Sequence, residues 1–206
     1  MNKVNTSTMI RTKDMTKVAM LSVIGFVLMY FQLPLTFVAP PFMKLDISDL
    51  PVLMGAFTMG PVYGIIIAAL KNLMHIIFKG TMTAGVGELS NFIISSTFAL
   101  VSSYIYRKHR SYKGAVLSMT VGVLAMTILA MASNYFVVFP LYGKVMPMEA
   151  IIAMGSAITP KITGLFTMMI YSVIPFNLIK GFTTSAVMML VYKNCLLYTS
   201  PSPRDS

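Results

Sequence analysis

From Gly114 to Gly143 the chain carries no charged side chain. An uncharged run of that length limits the fold more than any other feature. A helix crossing a bilayer needs ~20 consecutive apolar residues, because it rises ~1.5 Å per residue through a ~30 Å hydrocarbon core. Inside lipid, only helices and closed barrels satisfy every backbone polar group internally. Comparable runs recur along the sequence. Of its 206 residues, 56% are hydrophobic and 11% are charged, too apolar a balance for a soluble domain. The sequence predicts an all-α protein that crosses the lipid bilayer several times.

Proline and glycine divide the apolar runs. A first span is expected over 16–37, ended by "LPLTFVAPPF" with its three prolines. The stretch "PVLMGAFTMGPVYGIIIAALKNLMHIIF" is too long for one straight crossing. Pro61 disfavours helical geometry in the residue before it, so the run splits into 51–59 and 61–78. Further spans are expected over 88–106 and 115–139, and a sixth ends at Tyr192. A single helix over 163–192 would be about 45 Å long. The expectation is therefore a short segment over 162–173 and a crossing that begins at Pro175, a favourable first-turn residue. Residues 1–15 read as a polar, basic N-terminal arm, 16–194 as one six-helix unit, and 195–206 as a Ser/Pro-rich tail outside the fold.

Six transmembrane helices place the N and C termini on one side. Lys3, Arg11, Lys13 and Lys17 then share that side with Arg107, Lys108, Arg110 and Lys113. The positive-inside rule makes it cytoplasmic. Five spans would put the two basic segments on opposite faces. The net charge of +10 is thus an orientation signal, and no nucleic-acid partner is expected. Cys195 is the only cysteine, so there is no disulfide framework and no thiolate metal site.

Polar residues inside apolar spans need a reason, because an unpaired polar group in lipid costs several kcal/mol. Asn177 and Lys180 are three residues apart and share a helix face near the outer end of the last span. Asn134 precedes Pro140 at similar depth on the fifth. The loop "PFMKLDISD" lies on the same side. Plain alternatives stand beside this: Asn134 as a bond between helices, Lys180 reaching the lipid headgroups or pairing with Asp46, Asp49 or Glu88. Together they suit a flat, imide-like heterocycle such as the pyrimidine edge of a flavin. Phe42, Met43 and Leu45 could sandwich its rings.

Three blocks carry a resemblance: "PFMKLDISDLPVLMGAFTMGPVYGIIIAALKNLMHIIF", "SNYFVVFPLYG" and "IPFNLIKG". Over nearly all of 15–193 the chain resembles the riboflavin-specific S components of energy-coupling factor (ECF) transporters. The resemblance implies the six-helix S-component fold in a bacterial cytoplasmic membrane. It implies riboflavin as the captured ligand, with Asn134, Asn177 and Lys180 at the isoalloxazine ring and Lys44 and Leu45 in a covering loop. Implied partners are two ECF ATPase subunits and the ECF transmembrane coupling subunit. Ala19, Ser22 and Gly25 on the first span would form the docking face for that subunit.

The residues exclude other classes. There is no G-x-x-x-x-G-K-[ST] phosphate loop. His75 and His109 stand far apart, His75 expected to cap the third span and His109 to belong to the basic loop. No catalytic grouping is evident, so no enzyme and no cofactor are expected. Two rival readings are an S component for another vitamin or heterocycle and a stand-alone secondary transporter. The latter would need intramembrane acids, whereas the acids here fall in expected loops or at helix ends.

Overall fold

In a computed structural model of the chain, residues 12–81 and 84–197 are described. They are mostly helical. α1 (Thr12–Leu28) leads into a two-stranded hairpin of β1 (Leu33–Pro34) and β2 (Lys44–Leu45). α2 (Asp49–Thr58), α3 (Pro61–Lys79) and α4 (Val86–Lys108) follow. α5 runs from Tyr112 to Tyr142, α6 is Met148–Ser156, and α7 begins at Leu165 and ends at Leu197. Four of these seven helices, α3, α4, α5 and α7, are long and apolar enough to cross a membrane. α1 and α2 are shorter.

The break at Met59–Pro61 falls where the sequence puts it. α2 stops at Thr58, Gly60 has φ 125°, and Pro61 opens α3. That φ lies in a region open to glycine and closed to most side chains. The first span is shorter than expected. α1 ends at Leu28, and Tyr30 and Phe31 close tighter turns onto Val27 and Leu28. Pro34 bars Leu33 from helical geometry, so the chain enters β1 well before Phe37. β1 pairs antiparallel with β2, Leu33 opposite Leu45 and Pro34 opposite Lys44.

The expected break at Pro175 does not occur. α7 is continuous: an α-turn over Leu165–Met168, a π-turn over Met169–Val173, then α-helix over Ile174–Leu197. α5 has the same construction, with a π-turn over Asn134–Val138 before Phe139–Tyr142. In each helix the residue just before proline donates to the carbonyl five back, Phe139 to Asn134 and Ile174 to Met169. Pro140 and Pro175 follow directly. A proline lacks the N–H, and its ring crowds the carbonyl four residues back. Opening the preceding turn by one residue accommodates that ring without ending the helix. α5 accordingly passes Phe139 and reaches Tyr142. α6 was not expected from the sequence. At the chain ends, Thr12 to Met15 are already helical, and α7 extends through Cys195 to Leu197. The remaining arm and tail positions, 1–11 and 198–206, lie outside the described residues.

Two apolar clusters hold the helices together. A smaller one joins Val18, Val52, Ala56, Ile67, Ala68 and Ala99 across α1 to α4. The larger one runs through α2, α4, α5, α6 and α7, with Phe98, Met119, Met126, Phe139 and Met168 nearly inaccessible. Large apolar side chains also cover the outside: Ile128 is 71% exposed, Phe136 75% and Leu190 80%. An apolar exterior over an equally apolar interior is the arrangement of a bundle solvated by lipid.

Helix spacing is set by small residues. A Cβ at Gly64 would lie 2.7 Å from Ala56 Cβ and 3.0 Å from Ala99 Cβ, so α2, α3 and α4 meet there almost backbone to backbone. Neither alanine can move without moving its helix. Gly64→Leu is expected to destabilise the bundle by about 1–3 kcal/mol, the usual cost of overpacking. Gly164, with nothing within 4 Å of its would-be Cβ and an extended φ, serves as control through Gly164→Ala. Thermal unfolding of both variants in detergent checks this: a lower midpoint for the first, parental behaviour for the second.

Candidate functional site

Three of the six acids, Asp46, Asp49 and Glu88, are buried. Each has a basic partner. Asp49, first residue of α2, accepts from Lys71 Nζ of α3 at 2.5 Å and from the Ser95 hydroxyl of α4. Its second oxygen is 3.3 Å from Lys180 Nζ of α7, an ion contact outside hydrogen-bond alignment. Asp46 lies in the link from β2 to α2 and accepts from the backbone N–H of Ser48 at 2.9 Å and from its hydroxyl. Its other oxygen is 3.5 Å from Lys180 Nζ. Lys71 Nζ also donates to Ser48 Oγ at 2.7 Å. Asn91 Oδ1 is 3.5 Å from Lys180 Nζ and 2.9 Å from Ser95 Oγ. One connected cluster thus ties the hairpin link to α2, α3, α4 and α7. Its two carboxylates balance its two ammonium groups, as charges removed from water require.

Lys71, Asp46, Asp49 and Lys180 are all at most 5% exposed. Of the partners left open for Lys180, the structure selects both aspartates. Glu88 goes elsewhere, its Oε1 lying 3.2 Å from His75 Nδ1 and its Oε2 accepting from Thr81 at 3.1 Å. His75 therefore does not cap α3. Its ring meets that of Tyr30 edge-on, while Lys79 sits over the tyrosine ring and reaches Gln32. These contacts fix the chain between α1 and β1 onto the end of α3.

The two asparagines sit where the π-turns put them. Asn134 begins the π-turn of α5 and is 5% exposed; its Nδ2 donates to Ala130 O at 2.7 Å. Asn177 is 1% exposed and its Nδ2 donates to Val173 O, the last residue of the π-turn in α7, at 2.8 Å. Asn177 Oδ1 is buried with no partner among the described residues. α5 and α7 run antiparallel. A Cβ at Gly181 would press on Val123 and Met126, while Val116 and Met119 share a groove with Ala186 and Met189. From that crossing, Asn177 is about 6 Å and Asn134 about 12 Å toward the hairpin end, at ~1.5 Å per residue. All three expected residues occupy the same end of the bundle. They do not bond one another: Lys180 turns to the carboxylates, and each amide bonds back to its own helix.

The hairpin loop covers this end. Phe42 and Met43 are half-buried against the larger apolar cluster, and the Phe42 ring centroid is 6.3 Å from Phe139 and 5.3 Å from Tyr142. Leu45 is half-buried and Lys44 exposed. The small residues of α1 do not form one outward face. Ala19 is exposed, but Ser22 is buried, its hydroxyl bonded to Val18 O, and Gly25 lies against Lys71 and the Ser48 carbonyl. Gly25 thereby makes room for the ionic cluster, and of the three only Ala19 stands at the outer surface.

Sequence reading missed Lys71, Ser48, Ser95 and Asn91. A signal existed: "LKNLMH" places a lysine inside an apolar run, and "LDISD" supplies acids that could neutralise it.

Residues 13–192 match the family described as ECF transporter, substrate-specific component. The chain belongs to that family. Its members are transport subunits and not enzymes. Among similar proteins, the riboflavin transporter RibU of Staphylococcus aureus is 36% identical, covering 89% of this chain and 90% of its own. The riboflavin transporter FmnP of Bacillus subtilis is 33% identical, covering 88% and 91%. A solved structure described as the S component of a bacterial ECF transporter superposes with TM-score 0.72 at 35% identity, covering 92% of this chain and 98% of its own.

Asp46 carries three contacts: the Ser48 N–H, the Ser48 hydroxyl and Lys180. Asp46→Ala should cost about 1–3 kcal/mol, the range for orphaned buried donors. Hydrogen exchange checks it: faster exchange at Leu45 to Ser48 is expected, with α5 unchanged.

Proposed function

We propose that this chain is the riboflavin-binding S component of an ECF-type uptake transporter in a bacterial cytoplasmic membrane. One observation carries the reading beyond family membership. The Asn177 carbonyl is buried without a partner, three residues from a lysine whose contacts are all long. A buried acceptor left open is costly unless a ligand donor meets it. The imide N–H of a flavin can donate to Asn177 Oδ1, and an adjacent flavin carbonyl can accept from Lys180. Asn134 would meet the same ring, with Phe42, Met43 and Leu45 as its apolar cover and Lys44 at the loop surface. The similarity to riboflavin transporters over most of both chains favours riboflavin over other heterocycles.

In this reading α1 to α5 and α7 make six crossings, α1 and α2 spanning with help from their neighbours. Residues 16–194 act as one unit. The hairpin end faces outward, and the loop with Arg107, Lys108, Arg110 and Lys113 faces the cytoplasm with both termini. Uptake then depends on two ATPase subunits and a coupling membrane subunit, with Ala19 on the exposed side of α1 available to the latter. A stand-alone secondary transporter fits less well, because the buried acids are already matched by lysines or histidine.

The protein purified from riboflavin-fed cells should be yellow and should quench added riboflavin fluorescence. Asn134→Ala, Asn177→Ala and Lys180→Ala should each weaken binding by about 1–3 kcal/mol in calorimetry. Parental affinity in all three would remove the site. For orientation, a cysteine introduced at Ser111 in a Cys195→Ser background should react with an impermeant maleimide in inverted vesicles and not in intact cells; the reverse pattern would invert the topology.

A further inference from the structure

The four charges of the cluster are not held equally. Lys71 makes two short contacts, 2.5 Å to Asp49 and 2.7 Å to Ser48 Oγ, and is completely buried. Lys180 has three contacts, none shorter than 3.3 Å. Asp49 faces both lysines, giving Lys71 the short contact through one oxygen and Lys180 the long one through the other. We propose that Lys71 is a positioning residue for ligand recognition: by claiming Asp49, it keeps Lys180 loosely held and able to donate to the ligand. The proposal rests on the flavin-site reading above.

Competition between the two lysines and the balance of buried charge set this role. With both lysines present, two ammonium groups face two carboxylates and the buried sum is zero. Without Lys71, Lys180 alone faces Asp46 and Asp49, and the sum becomes −1. Coulomb attraction in a low-dielectric interior then draws its Nζ onto Asp49, since no other cation competes. Its N–H groups turn from the ligand side toward the freed carboxylate. Removing the Asp49 charge as well restores a sum of zero, with Lys180 facing Asp46 alone. Gly25 of α1 lies against the fully buried Lys71 stem and Ser48 meets its ammonium end, so a methionine of similar length can fill the space.

The test compares Lys71→Met with Lys71→Met/Asp49→Asn, both as full-length protein in detergent. In ¹⁵N-lysine-labelled protein without ligand, the Lys180 ammonium signal, assigned by its loss in Lys180→Arg, should shift in the single variant and return in the double. Riboflavin affinity, read by fluorescence quenching on monodisperse protein, should fall about tenfold or more in the single variant. It should recover to within about threefold of the parent in the double. An unmoved Lys180 signal in the single variant, or a double that regains its melting temperature while the signal stays displaced, overturns the proposal and leaves Lys71 a structural counterion. The ammonium signal needs no ligand. If the parent protein fails to bind riboflavin, the function reading falls while the competition between the two lysines is still decided.

Discussion

Ionised groups cannot be left alone in a lipid-solvated interior, and the fold at the hairpin end is organised around that constraint. Asp49 begins α2, Lys71 is halfway along α3, Ser95 is on α4 and Lys180 is on α7. None of these elements can shift by more than a fraction of a turn without separating charges whose burial is acceptable only as a matched set. The apolar clusters give the bundle its bulk, and the ionic cluster sets the register in which four helices meet. Its position also explains a small residue of α1. Gly25 lies against the Lys71 stem, where a longer side chain would crowd the cation.

The fold was legible where a local rule decides it. Uncharged runs revealed the long helices, and Gly60–Pro61 marked the turn between α2 and α3 because glycine and proline have distinct backbone requirements. Pro175 misled for a physical reason. Proline usually ends a helix, but a π-turn one residue upstream removes the clash, and nothing in the local pattern announces a π-turn. The end of α1 was misjudged because apolar character continues through Phe31 and Phe37 after helical geometry has stopped. Hydrophobicity reports the solvent a residue prefers and says little about its backbone.

The candidate site was legible in part. Asn134, Asn177 and Lys180 stood out as polar residues in apolar spans, and the structure brings them to the same end of the bundle. The engagement of Lys180 by Asp46 and Asp49 was one of the alternatives open in the sequence. Lys71 stood out only as a lysine inside an apolar run, and its particular partners were unreadable because they arise from tertiary placement. Asp49 is distant in sequence, and Ser95 is a common helix residue with no signature of its own.

The hairpin loop is fastened in two chemically different ways. Phe42 rests on the aromatic rings of Phe139 and Tyr142, while Asp46 is tethered to α7 through Lys180. The first contact is non-directional and survives sliding; the second is directional and is lost with a small displacement. A cover built this way can tilt about its aromatic footing while its charged edge lifts. Prising this cap loose therefore takes less displacement at its charged edge than at its greasy footing.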